Sequence, residues 1–145
     1  MRRHLYVTVE VMRNKTKIII IFIVLFVLGA VVVLFRYNQE GFTESRIKNP
    51  DSYLLDMEWM NGTDLHTLDL QTGDVLQIQF ETVKGSLYME IKAPDGTTLY
   101  RGNGKETTDF TVTIPESGVY PVVACARHAK GTICIQCVER RKNDI

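Results

Sequence analysis

Few residues in this chain are suited to chemistry. Three cysteines (Cys125, Cys134, Cys137) and two histidines in the C-terminal part (His66, His128) stand among 17 acidic and 17 basic side chains. Cys134-Ile-Gln-Cys137 spells C-x-x-C, a spacing used by zinc knuckles and thioredoxin-type sites. Such sites need a turn or a helix N-terminus. The residues around this pair alternate as a strand does, and on a strand positions three apart point to opposite faces. No second pair follows, so no metal site is expected. His66 falls in register with Leu68 and Leu70 and reads as a histidine at the core's edge. His128 reads as a solvated turn residue. Asp56 and Glu58, or Asp64, Asp69 and Asp74, have the charge for a weak Ca²⁺ site, but their spacing matches no ligand loop. Ser86, Ser117 and the threonines lack a nucleophile motif. Catalysis needs at least two convergent polar groups, and none is legible here. The expectation is a protein that is not an enzyme and carries no cofactor. A formal net charge of zero supplies no global basic field, which argues against nucleic-acid binding. Asn61-Gly62-Thr63 is a glycosylation sequon, relevant in a eukaryotic secretory pathway.

A hairpin reading gives the cysteines a different role. Segments 119–127 and 131–139 flank His128-Ala129-Lys130-Gly131. Tyr120, Val122, Ala124 and Ala126 form the apolar face of the first, and Ile133, Ile135 and Cys137 that of the second. A turn centred between Ala129 and Lys130 puts both faces on one side. It also sets Cys125 opposite Cys134 on the outer face, and Cys137 opposite Val122 in the core. A non-hydrogen-bonded pair comes within disulfide reach, and a compartment outside the cytoplasm permits the bond. The alternative is three unpaired thiols, with Cys137 a small core hydrophobe.

The elements that would hold these residues begin with Ile18 to Phe35, an uninterrupted apolar run without charge or hydroxyl. As a helix it rises ~27 Å, close to the ~30 Å hydrocarbon core of a bilayer. A helix also pairs its backbone groups internally, as lipid requires. Lys17 and Arg36 bracket the run at the two interfaces. The run is longer than the apolar stretch of a cleaved signal, and no small-x-small pattern follows it. An uncleaved signal anchor is therefore expected. Arg2, Arg3, Arg13, Lys15 and Lys17 precede the run against Glu10 alone, and this positive-inside bias puts the N-terminus in the cytoplasm. MRNKTK from Met12 also reads as a complete short start, so either Met1 or Met12 serves as the first residue.

The expected organisation is a cytoplasmic basic tail at 1–17, a transmembrane helix at 18–35 and a polar stalk at 36–51. A β domain at 52–139 and a basic tail at 140–145 follow. From Ser52 onward, apolar residues alternate with polar ones. Tyr53, Leu55, Met57 and Trp59 share a face, as do Leu76, Ile78 and Phe80. Leu87, Met89, Ile91 and Ala93 form another set, and Phe110, Val112 and Ile114 a fourth. Weaker candidates are 64–70, 97–101, 118–127 and 131–139. Turn residues separate the segments: Asn61-Gly62, Thr72-Gly73-Asp74, Lys84-Gly85, Pro94-Asp95-Gly96, Gly102-Asn103-Gly104 and Pro115-Glu116-Ser117-Gly118. About eight short antiparallel strands at this spacing predict an all-β sandwich, each sheet wet on one side.

The order Gly73-Asp74-Val75-Leu76, Gly85-Ser86-Leu87, Ala93-Pro94-Asp95-Gly96, Ile114-Pro115-Glu116-Ser117-Gly118-Val119-Tyr120 resembles the Golgi-dynamics (GOLD) domain and the bacterial pre-peptidase C-terminal domains. Ala129-Lys130-Gly131-Thr132 is similar to small membrane proteins and lipoproteins of Gram-positive bacteria. The resemblance implies a jelly-roll-like β-sandwich and a general role in binding proteins or surfaces. It does not carry over cargo transport or proteolysis, because the span here is N-terminal, the coiled coil is missing and no protease accompanies the domain.

The reading is a single-pass protein of a bacterial cell membrane, with its C-terminal domain extracellular. That domain is expected to act as a non-catalytic interaction module for another envelope protein or a surface polymer. Tyr88, Tyr100 and Arg101 are its candidate surface contacts. The alternatives are a small envelope hydrolase whose site assembles only in three dimensions, and a structural subunit of a membrane complex.

Overall fold

The computed structural model describes residues 2–106 and 108–140. Two compact units divide between Gln39 and Glu40. The first is a single helix, α1 (Arg2–Tyr37). Its stretch Asn14–Tyr37 is long and apolar enough to cross a membrane by length and composition, and none of that stretch is buried. A helix greasy on every side suits lipid and would be costly in water. Such a segment is able to serve as a membrane anchor or as a signal sequence.

The second unit is one antiparallel sheet of β1 (Gly41–Asn49), β2 (Ser52–Leu70), β3 (Val75–Lys92), β4 (Thr98–Gly102), β5 (Thr108–Thr113) and β6 (Gly118–Glu139). The order across it is β1-β2-β6-β3-β4, and β5 pairs with the N-terminal half of β3. β2, β3 and β6 are far longer than ordinary strands, because each runs straight through a place where a turn was expected. The register slips at Met57–Gly62 in β2 and at Thr82–Ser86 in β3, while His128 in β6 has φ 47°. Met60 pairs with Ala129, and Lys84 with Lys130, so the three irregularities form one row across the sheet. Bulges bend a strand and tighten its twist. Three in a row fold the whole sheet over.

The alternation shows how the bend keeps one face inward. Burial falls on Tyr53, Leu55 and Met57 before the bend in β2, and on Met60, Leu68 and Leu70 after it. In β3 it moves from Leu76, Ile78 and Phe80 to Leu87, Met89 and Ile91. In β6 it moves from Tyr120, Val122 and Ala124 to Ala129, Ile133 and Ile135. Each strand changes parity at its bulge, so the extra residue restores the same face to one shared core. Gly85 sits at this line with φ +74°, and an added Cβ would meet the His128 carbonyl oxygen at 2.2 Å. At the other end of the sheet the strand ends and turns come together. Asp69 N–H donates to Pro50 O at 2.6 Å, Gly73 N–H to Ile114 O at 2.8 Å, and Thr72 N–H to Ser117 Oγ at 2.9 Å.

Four expectations need correction. About eight strands become six, because Asn61-Gly62, Lys84-Gly85 and the 128–131 segment bend strands instead of reversing them. Positive-φ residues serve bulges and turns alike, so the dipeptide signal does not separate the two. The stalk expected at 36–51 is largely strand: β1 pairs with β2 along its whole length. It lacks an apolar period because it is an edge strand with most residues exposed. The β domain accordingly begins at Glu40, not at residue 52. Finally, 119–127 and 131–139 are two arms of β6, not neighbouring strands of a hairpin.

Candidate functional site

The strongest convergence of ionisable groups lies where the end of β1 meets the second half of β2. Asp64 is 5% exposed. It belongs to the inward face of β2 after the bend, which brings it to Tyr53 on the inward face before the bend. The Tyr53 hydroxyl donates to Asp64 Oδ2 at 2.7 Å. Lys48 Nζ lies 3.1 Å from Oδ1 and 3.0 Å from Oδ2, and Arg46 Nη1 lies 3.4 Å from Oδ1. Lys48 also donates to Leu65 O at 2.5 Å. A buried carboxylate is tolerable when paired and hydrogen-bonded in this way. Burial, together with the hydrogen bond to Asp64, pushes the Tyr53 hydroxyl far above the usual tyrosine range.

His66 stacks on Tyr53, with ring centroids 5.3 Å apart. Its Nε2 is 2.7 Å from Asn49 O, and a carbonyl only accepts, so that nitrogen carries a proton. The core-edge position expected for His66 is thus where it lies. The fold does bring a histidine, a carboxylate and a hydroxyl together. Each is engaged in binding its neighbour: the hydroxyl is locked as a donor to Asp64, and the imidazole to a backbone carbonyl. The arrangement clasps β1 and both halves of β2 together.

Beside the clasp lies a shallow depression of about 350 Å³ lined by Leu65, His66, Thr67, Pro121, Val122 and Val123. Leu65 pairs with Val123, Thr67 with Pro121 and Asp69 with Val119, making an outward apolar row with Leu65 63% and Val119 53% exposed. β1 pairs with β2 only up to Asn61, so residues 62–70 of β2 form an edge of the sheet next to that row. Neither feature was legible in the sequence. Leu65, Val119 and Val123 occupy the polar-side positions of their strands, and that mismatch was the available signal.

The remaining sequence candidates separate. Cys125 pairs with Thr63 and Tyr88, and Cys134 with Leu54 and Gln79. They point outward from opposite arms of β6, and all three thiols are free. The hairpin that would join Cys125 to Cys134 is not formed. Burial raises the thiols of Cys134 and Cys137 above the ordinary cysteine range. Cys137 packs against the core, as expected of a small hydrophobe, but its strand neighbour in β3 is Leu76. Tyr100 faces inward instead of outward: it pairs with the core residue Ile91 and sets its ring 4.9 Å from Phe110. Arg101 is outward and donates to Glu90 Oε1 at 2.8 Å. That hydrogen bond, with a second from Thr98, holds the Glu90 carboxyl below its usual range. Tyr88 is half-buried on the same outer face. Asp74 is buried as a turn staple, its Oδ2 accepting from Gln71 N–H at 2.9 Å. His128 lies within β6, half-buried, its N–H donating to Asn61 Oδ1 at 3.3 Å. Among the described residues no three His, Cys, Asp or Glu side chains group where a metal ion would sit. Arg140 reaches Asp51 at 3.4 Å, and the rest of the basic tail, Arg141 and Lys142, lies outside the described residues.

The chain matches no protein-family model, and no curated protein matches it. One solved structure, described as accessory secretory protein 1, 2 and 3 of Streptococcus pneumoniae, is similar at 15% identity over 70% of this chain and 96% of that chain, with a TM-score of 0.30.

Proposed function

We propose that this protein is a membrane-anchored, non-catalytic interaction module. Its β domain is held outside the cell membrane and binds another envelope protein. The observation that carries this reading is the outward apolar row Leu65, Val123, Pro121 and Val119 beside the edge formed by residues 62–70. Contiguous apolar surface on an otherwise polar sheet face marks a contact site. α1 supplies the anchor, and the cations before Ile18 support a cytoplasmic N-terminus. The folded-over sheet and the turn motifs that resemble GOLD and pre-peptidase C-terminal domains support a jelly-roll-like sandwich for the head.

The test places a photo-crosslinking amino acid at Leu65 or Val123, and at Thr111 as a distant control, in the full chain in intact cells. One discrete adduct from the first two positions, lost on Val119→Asp, is expected. Adducts equally strong at Thr111 would refute the assignment of this face. A tag after Ile145 that external protease cannot reach would refute the topology.

A further inference from the structure

We propose that two copies of this chain pair face to face through the outward apolar row, about a two-fold axis. The proposal rests on the reading of that row as the contact site and names the partner it meets. A closed two-fold pair sets one patch against itself, so the patch must complement its own image. The outward residues form four rows across β2, β6 and β3. Thr63 and Cys125 lie in the first, and Leu65, Val123 and Glu90 in the second. Thr67 and Pro121 lie in the third, with Lys92 the next outward residue of β3 after Glu90. Asp69 and Val119 lie in the fourth.

An axis across the strands, between the second and third rows, exchanges those two rows and exchanges the first with the fourth. Glu90 of each copy then faces Lys92 of the other. Lys92 is exposed and joins no ion pair among the described residues. Glu90 takes Thr98 and Arg101 on Oε1, which turns Oε2 to the incoming cation. Leu65, 63% exposed, projects onto the shorter Thr67 and the depression beside it. Val123 covers Pro121, and Cys125 covers Val119. Opposite charges, and a projection with a hollow, therefore meet twice over. The other charges of the face bring no like pair together: Asp69 falls on Thr63, Arg101 stays with Glu90 at 2.8 Å, and Arg127 falls at the rim over the 115–118 turn. An axis along β6 would instead bury Glu90 against Leu65, leaving that charge unmatched across the contact. Facing sheets also pack with their strands nearly aligned, as the first axis sets them. Three strands ~4.8 Å apart and four outward positions ~6.8 Å apart span roughly 400 Å², about half the ~800 Å² that each partner of a stable pair buries. The pair is therefore weak, and single charges decide it.

Facing sheets lie ~10 Å apart, beyond disulfide reach but within that of a short bismaleimide. Val119→Cys places a thiol opposite Cys125 of the second copy, whereas the two native Cys125 thiols of a pair lie ~20 Å apart along the strands. Full-length chains carrying either of two tags are co-expressed, and disrupted cells are treated with the reagent. A two-chain product with both tags is expected from Val119→Cys, at least about five-fold above the unsubstituted chain, and is expected to vanish with Cys125→Ser. Lys92→Glu or Glu90→Lys, each added to Val119→Cys, is expected to cut the product about five-fold, since like charges then face each other. Co-expressing these two variants on differently tagged copies matches acid to base again and is expected to restore the product. Circular dichroism checks folding, and if Glu90→Lys unfolds, Glu90→Gln takes its place opposite Lys92→Glu and relieves the repulsion. A product that ignores Cys125→Ser, or that the charge exchange fails to restore, would overturn the pairing. Photo-adducts of Leu65 with a different protein would keep the face as a contact site and overturn this proposal alone. No adduct at Leu65 would remove both.

Discussion

Asp64 illustrates how one carboxylate closes an edge. It is met by Tyr53, Lys48 and Arg46, and the two cations keep some solvent while the acid does not. The hydroxyl of Tyr53 is neutral in this setting, its pKa pushed above the ordinary ~10 of an unfolded chain. Between those two values the folded state holds a proton that the unfolded state has lost. Stability from this group is complete below pH ~10 and declines as pH rises beyond it. Tyr53→Phe should therefore flatten the alkaline limb of a stability-pH profile measured by urea unfolding. At neutral pH it should destabilise by about 1.5–3 kcal/mol, because a charged acceptor loses its buried donor. An unchanged alkaline slope would show that the hydroxyl is neither buried nor held by Asp64 as described.

The bent strand is the element that organises the domain, and it separates what alternation can and cannot tell. Most inward residues of β2, β3 and β6 lie on an apolar set visible in the sequence, including Tyr53, Ile78, Met89 and Val122, while Met60, Asp64 and Ala129, at or just beyond the bend, do not. What alternation left open was whether the glycine between two sets reverses the chain or only bends it. Gly85 needs a positive φ in either case, and the difference lies in which strand pairs with which. A Gly85→Ala replacement places a Cβ 2.2 Å from the His128 carbonyl at positive φ. It should cost about 2 kcal/mol or more, seen as a lower midpoint in thermal unfolding. A loss under about 0.5 kcal/mol would mean that the bend is not tightly packed. The cysteines test the same element. With β6 continuous, Cys125 and Cys134 do not meet, and three thiols should be alkylated in denaturant without reductant. In the native state Cys134 and Cys137 should react more slowly with iodoacetamide than in the unfolded chain, and faster as pH rises, since burial raises both thiols. Two missing equivalents of thiol would restore the hairpin.

At the scale of the whole domain, both halves of the sheet share one core, so they should unfold together. Ile135 is fully buried in the C-terminal arm of β6. Ile135→Ala should lower stability by about 3 kcal/mol. The far-ultraviolet dichroism and Trp59 fluorescence transitions should shift together and remain superimposed. Separated transitions would show that the two halves are independent.

The amino-acid order alone determined the apolar helix, the β character of the rest and nearly every inward residue. These depend on length and period along the chain, which is local information. The tertiary structure decided that β1 is a strand, that three glycine-marked segments bend the sheet, and that Asp64, Tyr53 and Lys48 converge. It also decided that Leu65 and Val119 stand outward. Each of these follows from which strands become neighbours across space, and pairing between backbones leaves almost no mark on side-chain type at an edge or a bulge.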